Sequence, residues 1–403
     1  MKRKVSYLST TVVVPLGLAL LLAGCGTQAS GSSSAGSSSG SSNSNLAKSL
    51  AVNVSNLKST DGQPLIQPAP QIKIPPRPAN PDALPETNIL HWWDMEYAGW
   101  DVTKVNQPKS PDNGAIGKTI DILEPGPHPY FTAYTKGAKE IANAYQMHLN
   151  IMVGDWTVNT QEQQVQEAIN QHPDMIIIAP VDADTAVNEL RQINQAGIPA
   201  IVSNLLPTNQ AMQYALMWTG PDDWANMQLL ADEFAKDMNY QGDYVIIRHN
   251  PGSSPYYSRT YAFMDELLKV APKMHVLAMQ TGQLNATVSQ QLTSNWITRF
   301  GSQLKGIMSA DDSNSQIGIN QAVQNAHRED IVRVAAGNSK IGMQALQSGQ
   351  VVAISYQSAQ GDGALPVYEA AQWFDGKTLP PVRYLPMGII TKSNVSKYLP
   401  AQW

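Results

Sequence analysis

Residues 175–204 read MIIIAPVDADTAVNELRQINQAGIPAIVSN and contain one strand–helix–strand unit. The apolar run MIIIAP ends at a proline, which is typical of a strand buried on both faces of a parallel sheet. Ala186, Leu190 and Ile193 then recur at helical spacing, and Gly197 ends the helix before a second apolar run, PAIVSN. A strand, a helix and another strand in this order predict an α/β fold with a parallel sheet.

The same alternation extends over residues 118–392. Further apolar runs that predict strands are KTIDIL (118–123), LNIMV (149–153), YALMWTG (214–220), YVIIRHN (244–250), HVLAMQTG (275–282), KGIMSA (305–310), IVRVAAG (331–337), VVAISYQ (351–357) and MGIITK (387–392). Helices are expected between them; after the first run, Tyr134, Ala138, Ile141 and Tyr145 lie at helical spacing. Roughly ten such units exceed one open sheet, so we expect two Rossmann-like lobes with parallel sheets and helices on both faces.

Polar and aromatic side chains follow the predicted strands, at the sheet edge where ligands of such folds bind. They are Glu124, His128, Tyr130, Phe131, Asp155, Trp156, Asp182, Asp184, Asn204, Arg248, Asn250, Tyr256, Tyr257, Arg259, Asp311, Asp312, Asn338, Tyr356 and Gln357. Planar polar groups can pair with two neighbouring hydroxyls and aromatic rings can cover the apolar face of a sugar. The set therefore predicts a cleft for a monosaccharide or another small polar ligand. Taken singly, Asp182, Asp222 and Ser339 are equally well explained as helix caps.

The N-terminus has the pattern of a secretory signal peptide. Lys2, Arg3 and Lys4 precede the apolar run TVVVPLGLALLLAG, which is shorter than the roughly 20 apolar residues of a membrane span. The following LAGC resembles the bacterial lipobox, and Cys25 is the only cysteine in the chain. The resemblance implies cleavage of a signal peptide (residues 1–24) and a diacylglyceryl group on Cys25. Because two or more acyl chains hold a protein stably at a bilayer, we expect a lipid anchor on the extracytoplasmic side of a bacterial cell membrane.

Residues 25–86 are expected to form a tether between the lipid and the folded body. Residues 29–45 are almost entirely Ser and Gly, which is typical of a flexible coil. Residues 64–85 are rich in proline, which favours an extended polyproline II spacer. Recognition of these prolines by a partner is the alternative.

Residues 87–117 form a tryptophan-rich extension before the first predicted strand. Within it the segment HWWDMEYAGWDV (91–102) is expected to pack against a lobe as an added element. A role in covering the cleft or contacting a partner is the alternative.

Charge and motif content argue against two classes of function. The formal net charge is −5, and without the three basic residues of the signal peptide 24 basic residues stand against 32 acidic ones. Nucleic acid is therefore not an expected partner. Residues 118–392 contain no cysteine, no G-x-S-x-G and no H-E-x-x-H, and we expect no catalytic residue, metal or cofactor. The pairs Asp222–Asp223 and Asp311–Asp312 leave a saccharide hydrolase open as an alternative.

Several segments resemble, in order, the type I periplasmic binding proteins of the ribose/galactose group, the sugar receptors of ABC importers. They are HPYF (128–131), IIIAPVDADTA (176–186), INQAGIPAIVSN (193–204), SRTYAF (258–263) and MSADDSNSQIG (308–318). The resemblance covers residues 118–392 and implies the periplasmic binding protein-like I fold, with two lobes joined by a three-strand hinge. The implied division is residues 118–204 and 358–384 for lobe 1, and 205–357 and 385–403 for lobe 2.

The resemblance also implies which residues bind the ligand. Carried over by position, they are His128, Tyr130, Phe131, Asp182, Arg259, Asp311 and Gln357. Tyr130 and Phe131 would stack on the sugar, while Asp182 and Arg259 would bond its hydroxyls from opposite lobes.

This chain departs from the family pattern in two segments. AAGNS (335–339) lacks the family's sugar-binding aspartate, and Asn338 stands nearest to replace it. GQLNATVS (282–289) lacks an aromatic residue and an arginine, and Asn285 is the nearest polar replacement. Glu124 and Trp156 are additional candidates, and the departures leave the identity of the sugar open.

The mechanism that the resemblance implies is capture by hinge closure. Crossings near Asn204, Gln357 and Tyr384 would let the lobes close on the ligand, and an ABC permease in the membrane would recognise the closed form. We expect the receptor to be a monomer. A surface sensor that presents the ligand to a signalling protein is the alternative, followed by the hydrolase named above.

Overall fold

The computed structural model describes residues 53–403, which contain two six-stranded sheets. The expectations for the signal peptide, for Cys25 and for the Ser/Gly tract lie outside the described residues. The strands are β1 (Thr119–Glu124), β2 (His148–Val153), β3 (Met175–Ile178), β4 (Ala200–Ser203), β5 (Met217–Gly220), β6 (Gly242–Arg248), β7 (Met274–Thr281), β8 (Leu304–Ser309), β9 (Val332–Ala335), β10 (Ala353–Tyr356), β11 (Val382–Tyr384) and β12 (Gly388–Thr391).

The α-helices alternate with these strands for most of the chain. They are α1 (Trp93–Glu96), α2 (Pro129–Tyr145), α3 (Val158–Gln171), α4 (Ala186–Gln195), α5 (Asp223–Asp237), α6 (Ser254–Val270), α7 (Ala286–Phe300), α8 (Asn314–Asn325), α9 (Lys340–Ser348) and α10 (Ala359–Phe374). Among residues 53–403, no helix combines the length and the apolar character that crossing a membrane requires.

The strand order is β11-β5-β4-β3-β1-β2 in the first sheet and β12-β10-β9-β8-β6-β7 in the second. Neighbouring strands in both sheets are parallel, except that β10 and β12 are antiparallel. An antiparallel strand at the edge of a parallel sheet is common in such folds. The predicted α/β class with two parallel sheets is confirmed, with this one strand as the difference.

Strand β3 shows why the run MIIIAP decides the fold. It lies between β1 and β4, and each of its four residues is fully buried. Met175 and Ile177 belong to the apolar layer on one face of the sheet, whereas Ile176 and Ile178 belong to the layer on the other face. Because helices cover both faces, an uninterrupted apolar run is required here instead of an alternating one.

The chain passes between the sheets three times, and one crossing differs from the expected position. β5 pairs with β4 and β11 in the first sheet, so the first crossing follows Gly220 and not Asn204. Trp218, which is fully buried, fills the core of the first lobe and contacts Tyr384 edge-to-face at 5.6 Å. The other two crossings, after β10 and after β11, lie beside Gln357 and Tyr384.

The proline-rich stretch (64–85) packs on the body and is not a free spacer, contrary to the expectation. Leu65 is 1% exposed and belongs to the core of the first lobe. The Ala69 amide donates to the Tyr384 carbonyl at 2.7 Å, and the Trp93 indole donates to the Pro75 carbonyl at 3.0 Å. Apolar residues between the prolines therefore hold the stretch against the protein.

The tryptophan-rich segment (91–102) contacts both lobes. Trp92 stacks on Tyr257 of α6, with ring centroids 4.4 Å apart, and so packs on the second lobe. Ala98 and Trp100 pack into the core of the first lobe. The segment was expected to pack against one lobe, and it spans the junction between the two.

Candidate functional site

A cavity of about 50 Å³ lies between the lobes, at the carboxyl ends of the strands. The residues that line it are His128, Tyr130, Phe131, Trp156, Asn204, Leu205, His249, Pro255, Arg259, Leu284, Asp311, Ala336, Gln357 and Trp403. Both lobes thus contribute to the wall, together with Gln357 beside the second crossing.

The first lobe contributes an aromatic wall. Tyr130 and Phe131 lie in the first turn of α2, and their rings meet edge-to-face at 5.7 Å. Trp156, whose φ is 65°, contacts Phe131 with ring centroids 6.0 Å apart. A Cβ at Gly126 would lie 2.4 Å from the Trp156 ring, so only glycine leaves room for this indole. The wall offers apolar ring surface to the C–H groups of a ligand.

Arg259 brings a fixed positive charge to the cavity from α6. Its Nε donates to Asp223 at 3.0 Å, one terminal nitrogen donates to the Ala310 carbonyl at 2.9 Å, and the other donates to Gln357 Oε1 at 3.2 Å. A guanidinium carries five N–H groups, so donors remain for a ligand after these three bonds. The contacts hold the guanidinium plane in one orientation, which suits recognition of neighbouring hydroxyls.

Asp311 brings the negative charge, and its carboxylate is held by the start of α8. It accepts from the Ser313 hydroxyl at 2.6 Å and from the Ser315 amide at 2.8 Å. Burial acts to raise the pKa of Asp311, but the facing His128 and the hydrogen bonds from both serines together lower it below its ordinary value. Asp311 is therefore an ionised acceptor near neutral pH.

The two histidines of the cavity are neutral near pH 7. Burial lowers the pKa of His249 to about 3, with Arg259 acting in the same direction. Burial also lowers the pKa of His128, whose Nε2 lies 3.2 Å from the Ser313 hydroxyl across the cleft. With neutral imidazoles, the charged residues of the lining are Arg259 and Asp311, and Arg259 is also paired with Asp223 behind it. Such a lining favours an uncharged polar ligand.

A buried hydrogen-bond network lies behind the aromatic wall, at the hinge. The Tyr130 hydroxyl donates to Asp362 Oδ2 at 2.7 Å, and Asn204 Nδ2 donates to the same oxygen at 2.5 Å. Burial raises the pKa of Asp362 to about 7. The network connects α2, the end of β4 and α10, and so fixes Tyr130 relative to the second crossing.

The cavity brings together seven of the predicted ligand-binding residues: His128, Tyr130, Phe131, Trp156, Arg259, Asp311 and Gln357. The four others lie elsewhere. Asn338 Oδ1 accepts from the Gln357 amide at 3.2 Å and so positions Gln357. Glu124 accepts from the Thr135 hydroxyl in a neighbouring open groove, where burial raises its pKa to about 6.

Asp182 and Asn285 accept from backbone amides, and neither is among the residues that line the cavity. Asp182 Oδ1 accepts from the Thr185 amide at 2.9 Å, just before α4. Asn285 Oδ1 accepts from the Val288 amide at 3.1 Å, and Leu284 lines the cavity in its place. The capping explanation that the sequence allowed for Asp182 matches its geometry.

The cavity lining contains further residues that were not among the predicted ligand-binding residues, although Asn204 was in the strand-end set. They are Asn204, Leu205, His249, Pro255, Leu284, Ala336 and Trp403. His249 directly follows β6, so the rule that selected strand ends could have found it. Trp403 lies more than ten residues beyond β12, and no local pattern marks it.

Comparison with known proteins places these observations in a family context. A family model for the periplasmic binding protein domain matches residues 122–378. A xylitol-binding protein of Mycolicibacterium smegmatis is 29% identical over 292 residues, which cover 70% of this chain and 79% of the relative. A D-apiose import binding protein of Actinobacillus succinogenes is 25% identical over 266 residues, which cover 65% and 82%.

The fold also matches solved structures. An ABC transporter solute binding protein from Bacillus halodurans with bound myo-inositol superposes with a TM-score of 0.66 at 23% identity. The match covers 72% of this chain and 99% of that one. At this identity the likeness concerns the fold.

Proposed function

Because the chain belongs to the family of periplasmic binding protein domains, we propose that it captures an uncharged monosaccharide or polyol between its two lobes and delivers it to an ABC permease. The observation that carries this proposal is the cavity itself, which joins an aromatic wall to Arg259 and Asp311. Relatives named for xylitol binding and D-apiose import support this ligand class.

Binding and selectivity follow from the chemistry of the lining. Ligand C–H groups pack on the rings of Tyr130, Phe131 and Trp156, while hydroxyls bond Arg259, Asp311 and neutral histidine. A hydroxyl of the wrong configuration leaves a buried partner unpaired, at a cost of about 1–3 kcal/mol. Closure of the lobes removes water from these bonds and produces the form that a permease recognises.

We also propose that the protein is a monomer anchored by lipid at Cys25 on the extracytoplasmic side of the membrane. The support is the LAGC segment at the end of the signal-like N-terminus. Anchoring keeps the receptor close to the permease.

A binding role explains the paired aspartates better than hydrolysis does. Asp222 caps α5 by accepting from the Ala225 amide at 3.0 Å, whereas its neighbour Asp223 pairs with Arg259. Asp311 has a lowered pKa, which is the opposite of what a general acid needs. Burial raises the pKa of Asp312 well above its ordinary value, but Asp312 is fully buried, accepts from the Ser339 amide at 2.7 Å and is not among the residues that line the cavity.

The test is thermal unfolding of the purified protein with a panel of pentoses, hexoses, pentitols, cyclitols and amino acids. A ligand at 100 times its Kd should add about 2.7 kcal/mol of stability. Asp311→Asn should remove the shift. Asn285→Ala, which loses only a helix cap, should lower stability in the absence of ligand and keep the shift. A shift with amino acids and none with any sugar or polyol would contradict the proposed ligand class.

A further inference from the structure

Trp403 reaches the ligand cavity from a part of the chain that carries no family motif. Its ring lies 5.3 Å from that of Tyr130 at an interplanar angle of 80°, and 5.7 Å from that of His128. Its carbonyl accepts from the Lys340 amide, at 2.5 Å, at the start of α9 in the second lobe. Because Tyr130 and His128 belong to the first lobe, the indole packs across the cleft.

The residues just after β9 are small and leave room for the Trp403 indole. A Cβ at Gly337 would lie 2.4 Å from Asp312 Oδ1, which is a collision, and 3.3 Å from the Trp403 ring, which is a tight contact. Ala336 is the lining residue next to it. These small residues belong to the AAGNS segment, in which this chain departs from the family pattern.

The neighbouring Gln402 holds the indole in place. Its Nε2 donates to Asp61 Oδ2 at 2.9 Å and to the Ser358 hydroxyl at 3.0 Å, and its Oε1 accepts from the Gln360 amide at 2.9 Å. Gln402 is thereby tied both to the segment around residue 61 and to the start of α10. An indole fixed before binding loses little conformational freedom when a ligand arrives.

The indole N–H of Trp403 lacks an acceptor in the part of the chain that the structure describes. Trp403 Nε1 is buried and, among residues 53–403, has no hydrogen-bond partner. An indole nitrogen can only donate, and a buried donor without an acceptor is costly. A hydroxyl oxygen of a ligand in the cavity that Trp403 lines would accept this hydrogen bond.

We propose that Trp403 is a specificity-determining residue of the ligand site, which donates its indole N–H to a ligand hydroxyl and limits the cavity to one compact sugar or polyol. This inference rests on the proposed function, since it assigns a residue to the same site. It gives the cleft an aromatic group from the second-lobe side, facing Tyr130 and His128.

The experiment compares the full-length protein with its Trp403→Phe and Trp403→Ala variants by isothermal titration calorimetry. The probes are xylitol, D-ribose, D-apiose, myo-inositol and D-galactose. Trp403→Phe keeps a ring but removes the donor, and should weaken the best ligand about tenfold, which corresponds to about 1.4 kcal/mol. Trp403→Ala should weaken the smallest bound probe more than the largest, and so change their affinity ratio.

Trp373→Phe is the matched control, because it removes an indole N–H from a buried residue of α10 that lines a separate groove and not the cavity. It should bind every probe as the natural protein does. If the natural protein and Trp403→Phe bind the same probe equally well, the role of Trp403 is wrong while the proposed function stands. If the natural protein binds none of the probes, the proposed ligand class fails and this inference fails with it. Should Trp403→Ala not fold, Trp403→Phe decides alone.

Discussion

At the scale of single residues, Asp182 and Arg259 illustrate how two residues with the same predicted role differ in their contacts. Asp182 lies in the turn after β3 and Arg259 lies in α6, and the family resemblance implied that both bond ligand hydroxyls. The Arg259 guanidinium is held by three acceptors and lines the cavity. Asp182 Oδ1 accepts from the amides of Asp184 and Thr185, and Asp182 is not among the residues that line the cavity.

Asp182→Ala is therefore expected to leave ligand affinity unchanged. It should lower the free energy of unfolding by about 1 kcal/mol, because a capping acceptor is lost. Calorimetric titration and urea unfolding of the variant measure the two quantities. Arg259→Lys, which keeps the charge but loses the planar fork, should weaken binding at least about tenfold. A loss of affinity in Asp182→Ala as large as that in Arg259→Lys would return Asp182 to the site.

At the scale of elements, the start of α10 connects the hinge to the ligand cavity through hydrogen bonds. Asp362 is fully buried there and joins Tyr130 to Asn204 through one carboxylate oxygen. Its pKa of about 7 exceeds the ordinary carboxyl value of 3.8 because burial disfavours the charged form.

The raised pKa makes stability depend on pH. The folded protein binds this proton more tightly than the unfolded chain does. The stabilisation is therefore complete below a pH of about 4 and is lost as the pH rises through about 7. At about 1.36 kcal/mol per pH unit, the loss is on the order of 4 kcal/mol. Asp362→Asn removes the titrating group.

Urea unfolding from pH 4 to pH 8 should thus give a flatter stability profile for Asp362→Asn than for the natural protein. The difference between the two profiles is the quantity to compare, because Asp222, with a pKa of about 6, contributes a dependence of the same sign in both. Parallel profiles would show that Asp362 does not titrate in this range.

The N-terminal elements differ from their expected role for a reason of composition. Prolines in residues 64–85 favour an extended backbone, and extended backbone can lie along a surface as well as stand away from it. Leu65 and Ile72 supply the apolar side chains that make packing favourable. Trp92 on the second lobe and Trp100 on the first then span the junction.

At the scale of the whole molecule, the lobes meet in a closed arrangement. The Ala183 amide donates to the Gly252 carbonyl at 3.1 Å, and the Leu206 amide donates to the Ser254 hydroxyl at 2.9 Å. These bonds join segments beyond strands of different sheets, so they form only when the cleft is shut. A ligand that binds between the lobes should favour this arrangement.

Small-angle X-ray scattering of the purified protein should accordingly show a smaller radius of gyration with saturating ligand than without it. Arg259→Ala at the same ligand concentration should keep the larger value, because it lacks the bond from Arg259 to Gln357 beside the crossing. Equal radii for the natural protein with and without ligand would contradict closure driven by the ligand.

The local sequence pattern alone determined the α/β class and the strands. The rule that ligands bind at the carboxyl ends of strands then found His128, Tyr130 and Phe131. The reason is that buried parallel strands need uninterrupted apolar runs, and that parallel strands bring their carboxyl ends to one edge. The same rule could not separate Asp311, which faces the cavity, from Asp182, which caps a turn, since both follow a strand.

Only the tertiary structure decided the contacts that join distant parts of the chain. β5 belongs to the first sheet because Trp218 packs against Tyr384, and Trp403 lines the cavity because Gln402 is bound by Asp61 and Ser358. Such contacts depend on which surfaces remain uncovered once both lobes have formed. Periodicity reports the burial of a residue within its own element, and it carries no information about a partner hundreds of residues away.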